Sequence, residues 1–198
     1  MLSTENASDE IPYKKFKKLF NLACEKKQEA VNAITVSSFD LEKNEVNSRY
    51  VNLKYIENDE WIFFSNYDSI KAVEFESHDQ ISVLLYWNAL QIQIRMKALI
   101  KKTDIVFSNN HFRQRSLAKN ALAISSRQSK SISSYELVEE NYKKTLANAN
   151  LLKRPEDWGG YSFTPYYFEF WQGNADRVNK RESFDLVEGH WRQEILQP

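Results

Sequence analysis

Two different periods organise the apolar and polar positions of this chain. Near the N-terminus Phe16, Leu19, Phe20 and Ala23 recur at helical spacing, which predicts a helix opening at Pro12 and running to about Lys27. From Ala33 the period drops to two, the spacing of a half-buried strand. Strands are predicted over 33–37, 48–55, 61–65, 80–87 and 90–98, with the polar run Asp40–Asn44 as a turn. Residues 69–77 read as a helix capped by Asp68 or Ser69. Residues 103–150 lose β character and read as two or three helices, one beginning near Ser133–Leu137, where Glu follows Ser by three positions. A loop is predicted over 155–160, then strands over 166–171, 177–181 and 184–195. Residues 1–11 read as a loose, flexible leader. Six or so antiparallel strands with inserted helices give an α+β fold built on a small barrel, one domain spanning 1–198.

Composition narrows the function. Lys and Arg number 27, and so do Asp and Glu, so no global field points to nucleic acid or a membrane surface. Only 4 glycines are present, and neither GxGxxG nor GxxxxGK[ST] occurs, so a bound phosphate has to be held by side chains. Three histidines and a single cysteine form no metal-ligand pattern. Cys24 has no partner for an intramolecular disulfide and fits a reducing cytoplasm; its helical surroundings predict a packed, unreactive thiol. The N-terminal residues show no signal-peptide pattern, and no apolar run approaches membrane-spanning length.

Several short stretches carry candidate chemistry. Arg49 and Lys54 bracket a predicted strand. Ser65 to Lys71 joins a strand to a helix, where helix N-terminal amides and a lysine suit a phosphate. Gln93 interrupts an apolar strand with an amide able to read a heterocycle edge. Gln128 and Ser129 form a polar pair near a helix boundary. In the tail, Trp171 precedes Arg177 and Arg181, which on one strand would share a face and need an anionic or planar partner. Each stretch alone also has a plainer reading: edge-strand charges, a capping loop, ordinary alternation, a helix cap.

In their order and spacing these stretches together resemble the pyridoxamine 5'-phosphate oxidase family of FMN enzymes, over roughly residues 15–198. The resemblance implies a six-stranded antiparallel split β-barrel of Greek-key type flanked by helices, a homodimer with FMN at the subunit interface. It implies FMN contacts from Arg49, Phe64, Ser65, Lys71, Gln93, Gln128, Ser129, Trp171 and Arg181. Lys54, His111, Arg115 and Lys119 fall where the family grips its substrate phosphate, His111 in place of a tyrosine and Lys119 in place of a serine. Arg177 and Asn179 fall where the family has Arg-x-His, and asparagine cannot titrate. Ile70 stands where an arginine usually precedes the phosphate-binding lysine. Leu85-Tyr86-Trp87, Ser125–Ser129, Ile70 and the Leu196-Gln197-Pro198 end are similar to the phenazine-biosynthesis oxidase branch. The expected activity is oxidation of pyridoxamine or pyridoxine 5'-phosphate, with a reduced phenazine carboxylate as the alternative substrate. A flavin-binding protein with little oxidase activity and a plain structural domain are the remaining readings.

Overall fold

The computed structural model describes residues 2–198. The helix α1 spans Ile11–Glu25, with Pro12 at its first turn. Its inward stripe of Tyr13, Phe16, Phe20 and Ala23 follows the predicted spacing and lies against Trp61 and Trp87. Burying each of these rings contributes about 2–3 kcal/mol. Cys24 falls beside that stripe and is exposed, contrary to the packed position expected.

Nine strands form one antiparallel sheet. They are β1 (Ala33–Asp40), β2 (Glu45–Asn52), β3 (Tyr55–Glu57), β4 (Glu60–Asn66), β5 (Gln80–Trp87), β6 (Ile92–Lys102), β7 (Trp158–Gln172), β8 (Lys180–Val187) and β9 (His190–Leu196). The path runs β2-β1-β5-β6-β7-β4-β3, and β8 and β9 extend from β7 as a hairpin. β2 and β4 come together where Lys54 N donates to Ile62 O at 2.8 Å, which closes β1, β2 and β4–β7 into a split barrel. Six strands therefore make the barrel, as the resemblance implies; β3 lies outside it, and so do β8 and β9, which fall on the strand segments expected after residue 177. Alternation is strict in β5, whose even members Ile81, Val83, Leu85 and Trp87 are buried. At Lys97/Ala98 the β6–β7 register shifts around Tyr166, a bulge that accommodates Pro165, which has no N–H to give.

Helices α2 (Ile70–Ser77), α3 (Ile105–Gln114), α4 (Leu117–Ser125) and α5 (Tyr135–Asn148) flank the barrel. Ser134 caps α5 by accepting from Leu137 N. The leader expected to be loose instead lies along β3: Ser3 N donates to Lys54 O and Ile56 N to Ser3 O, both at 2.9 Å, and Leu2 is buried. The tail also differs from expectation. β7 is one strand of 15 residues, Arg177 sits in the turn after it, and 184–195 is two strands joined at Glu188-Gly189.

Candidate active site

Three groups of side chains carry the chemistry. The first lies where β4 passes into α2. Lys71 turns inward and donates to Ser65 Oγ at 3.0 Å and Ser69 Oγ at 2.9 Å. Gln128, from the loop after α4, accepts from Ser65 Oγ at 3.1 Å through Oε1, so Ser65, Lys71 and Gln128 meet as the sequence suggested. Ser129 follows with φ +69°, in the left-handed region. Lys71 is 7% exposed. Burial holds its ammonium down to about 8, the Arg49 charge adds to this, and Glu74 opposes it. Arg49 stands nearby but is already matched: its guanidinium donates to Glu74 at 2.9 Å and to Ser38 Oγ. Glu74 is 2% exposed and also accepts from Asn47 Nδ2 at 2.7 Å. Nothing in the strand pattern around Arg49 signals this carboxylate; Glu74 is visible only as a helix position one turn beyond Lys71. Ile70, where the resemblance expects an arginine, is exposed at the start of α2.

The second group surrounds His111. Its ring stacks on Phe64 at 3.7 Å between centroids, and Phe64 stacks in turn on Trp158 at 5.3 Å. His111 Nδ1 lies 2.8 Å from the Tyr55 hydroxyl. The Arg115 guanidinium sits over the Trp158 ring at 4.3 Å, and its Nη1 is buried with no hydrogen-bond partner. Burial lowers Arg115 to about 10. Burial, then the charges of Lys119 and Arg115, lower Lys54. Burial, then Arg115 and Lys54, push His111 down to about 4, so the ring is neutral at ordinary pH. The predicted residues Lys54, His111, Arg115 and Lys119 thus converge, with Tyr55 and Trp158 as members the sequence did not single out. Among the described residues no ion pair involves Lys54, Lys71, Arg115 or Lys119.

The third group lies at the C-terminal end of β7. Gln93 pairs with Trp171 across β6–β7, and Trp171 with Arg181 across β7–β8. Arg181 donates to Glu169 at 3.0 Å and to Gln197 O at 2.9 Å. Glu169 is 2% exposed and also takes Arg95 at 2.9 Å and the Tyr167 hydroxyl at 3.1 Å. Burial pushes this carboxyl up, but the bonds from Arg181 and Tyr167 and the charge of Arg95 outweigh it and hold it low. Arg177 and Arg181 do not share a strand face. Arg177 has φ +59° in a turn closed by Arg177 N to Asn174 O at 3.0 Å and by Asn174 N to the Asn179 side chain at 3.1 Å. A cavity of 630 Å³ opens here, lined by Trp171, Asn179, Arg181 and the chain end Leu196–Pro198.

The groups sit at opposite ends of one strand. Asn66 pairs with Trp158 at the start of β7, and Gln93 and Arg181 pair with Trp171 near its end. At about 3.3 Å per residue that separates them by a contour of roughly 40 Å.

The fold and these polar groups define an α+β split-barrel protein with two clusters of cations without carboxylate partners near the start of its longest strand and a matched arginine cluster near its end. A family model described as the pyridoxine 5'-phosphate oxidase C-terminal dimerisation region matches residues 158–198. The pyridoxine/pyridoxamine 5'-phosphate oxidase of Rippkaea orientalis is 34% identical over 191 residues, covering 94% of this chain and 89% of the relative. That of Herminiimonas arsenicoxydans is 32% identical over 197 residues, covering 98% and 92%. The chain belongs to the pyridoxine/pyridoxamine 5'-phosphate oxidase family, a family of oxidoreductases. The fold matches that of PhzG from Burkholderia lata 383, solved in complex with tetrahydrophenazine-1-carboxylic acid, with TM-score 0.90 at 24% identity over 94% of this chain and 92% of that one. It also matches a pyridoxamine 5'-phosphate oxidase-related, FMN binding protein from Nostoc punctiforme, with TM-score 0.79 at 10% identity over 96% and 99%. Among the described residues no helix is long and apolar enough to cross a membrane.

Proposed function

We propose that two copies of this chain hold FMN between them and oxidise a small anionic ring substrate, with pyridoxamine or pyridoxine 5'-phosphate as the first choice. The observation that carries this reading is the set of cations left without carboxylate partners. Lys71 is buried among hydroxyls, and Arg115 has a buried, unpartnered Nη1 beside Lys54. A buried charge without a counterion is costly unless a ligand supplies one. Two separate anion pockets suit two phosphates, one on the cofactor and one on the substrate.

The residues fit FMN. Lys71, Ser65, Gln128 and Ser129 would hold its phosphate end, with Arg49 adding charge from behind its Glu74 partner. Gln93, Trp171 and Arg181 would come from the partner copy to the ring end, and Phe64 lies beside both pockets. When bound, FMN would supply the redox chemistry, accepting the hydride lost from the substrate carbon that is oxidised (the exocyclic carbon bearing the amine or hydroxyl in the pyridoxamine and pyridoxine phosphates) and giving the two electrons to molecular oxygen to form hydrogen peroxide. Lys54, His111, Arg115 and Lys119 bind and orient the substrate anion. Arg177 orients the substrate ring from its turn, and Asn179 holds that turn shut without moving a proton. A dimer also covers Val46, Tyr50, Leu84 and Tyr86, large exposed apolar side chains on β2 and β5; Tyr50 is 79% exposed.

A second reading, a reduced phenazine carboxylate as substrate, is favoured by His111 and Lys119 in the substrate pocket and by Ile70 beside Lys71. The test is an anaerobic flavin spectrum of the protein with pyridoxamine 5'-phosphate added and air then admitted. Bleaching followed by recovery with aldehyde product supports the first reading. A yellow protein that does not bleach moves the substrate to the phenazine type or leaves a flavin binder with little oxidase activity. A protein that takes up no FMN overturns the proposal. Arg177→Ala is expected to lower turnover at least ten-fold while FMN stays bound.

A further inference from the structure

Tyr55 reaches the substrate pocket from β3 and meets one nitrogen of His111. We propose that Tyr55 is a positioning residue that fixes His111 as the Nε2–H tautomer, so that the imidazole presents an uncharged hydrogen-bond donor to the anionic group of the substrate. The inference rests on the reading of Lys54, His111 and Arg115 as one anion site.

The geometry leaves the ring little freedom. One face stacks on Phe64 at 3.7 Å, with the planes 9° apart, and Tyr55 meets the ring edge-on with its hydroxyl 2.8 Å from Nδ1. Nε2 has no hydrogen-bond partner among the described residues. The charged groups that face the ring are Lys54, just before β3, and Arg115, just after α3; both disfavour a second proton on it, and burial does so more strongly. A neutral imidazole carries one proton, and its placement follows from the neighbour of Nδ1. A phenol is a far stronger acid than a neutral imidazole N–H and therefore the better donor, so the hydroxyl donates a hydrogen bond to the Nδ1 lone pair, which places the ring's one N–H at Nε2. The reverse arrangement would turn an Nε2 lone pair toward a bound anion. Tyr55 stays protonated throughout, since burial and Glu57 raise its pKa. His111 thus stands where the resemblance expects a tyrosine and keeps a neutral donor there, and its donor count does not change between about pH 5.5 and 8.

The test uses the full chain labelled with ¹⁵N-histidine. Only three histidines contribute signals, and His111→Gln assigns the one of interest. Inorganic phosphate is titrated while the His111 imidazole signals are followed, so binding at Lys71 does not interfere. The expected result is an Nε2-protonated pattern in the phosphate-bound protein, unchanged between about pH 5.5 and 8. Tyr55→Phe should mix the tautomers and weaken phosphate about three- to ten-fold, the worth of one hydrogen bond. Phosphate binding followed by calorimetry in Tyr55→Phe, His111→Phe and the double variant gives a second arm: the double variant should lose no more than His111→Phe alone. An Nδ1-protonated or doubly protonated ring in the phosphate complex overturns the proposal, as do additive losses in the three variants. FMN uptake by the same samples is read separately. Protein that takes up no FMN yet keeps the tautomer defeats the oxidase reading and leaves the role of Tyr55 standing.

Discussion

Lys71 and His111 both titrate away from their ordinary values, and each gives a pH dependence with a definite sign. Lys71 falls from 10.5 to about 8 in the folded chain. A phosphate beside it favours the charged form, so FMN affinity should be full below about pH 8 and decline as pH rises through it. Riboflavin, which has no phosphate, should show no such decline; flavin-fluorescence titrations with both ligands from about pH 7 to 9.5 check this. Stability of the ligand-free chain runs the other way at this residue. The unfolded state holds the Lys71 proton more tightly, so stability rises with pH between about 8 and 10.5. His111 falls from 6.5 to about 4, so the unfolded state protonates first and stability is lost as pH drops across that window. His111→Gln should flatten that acid loss by about 2–3 kcal/mol, read from urea midpoints at several pH values. The polar residue types were legible at this scale because cations, amides and hydroxyls recur at fixed intervals. The partners Glu74, Glu169 and Tyr55 were not, since a carboxylate or phenol in a helix or strand looks the same in sequence whether it meets solvent or a buried arginine.

Elements hold these side chains in place, and glycine matters where two of them approach closely. Gly160 on β7 faces Phe64 on β4, and a Cβ there would meet the Thr103 side chain and the Phe64 ring, the latter at 3.2 Å. Gly160→Ala should cost about 1–3 kcal/mol by overpacking. It should also weaken phosphate binding by tilting Phe64 under His111; chemical denaturation and calorimetry on one variant report both effects. Strong periodicity made α1, β1, α2, β5 and β6 readable, because each buries one face, whereas β4 is buried on both faces and was readable as a short apolar run. The turn after β7 was misread as strand because Arg177, Val178 and Asn179 carry no turn dipeptide. Its shape comes from the Asn174 and Asn179 side chains bonding the backbone. The β8–β9 hairpin was missed because Glu188, at φ +50°, takes a place where Asn or Asp is the usual signal.

At the scale of the whole molecule, the residues proposed for the two ends of FMN lie at opposite ends of β7, and on that proposal they meet only when two copies of the chain pair. Complementation tests this directly. Lys71→Met damages one half and Arg181→Ala the other, so each variant alone should lose FMN and activity. Unfolded together in equal amounts and refolded, they should recover about a quarter of wild-type activity, since half the dimers are mixed and each mixed dimer has one intact site of two. A site contained within one chain would recover nothing.

The sequence by itself determined the periods, and through them the helix, the barrel strands and the class of fold, because burying one face of each element leaves few alternatives. It also showed that no glycine-rich phosphate loop is present, which leaves side chains and helix N-terminal amides as the groups available to a phosphate. Tertiary structure alone decided which charges are matched and which are left open. Arg49 and Arg181 are satisfied by Glu74 and Glu169, while Lys71 and Arg115 are not. That difference depends on contacts between strands and helices far apart in the chain, and no local pattern records them. The sheet register likewise decided that Gln93, Trp171 and Arg181 lie at the end of β7 opposite Ser65, Lys71 and the His111 group.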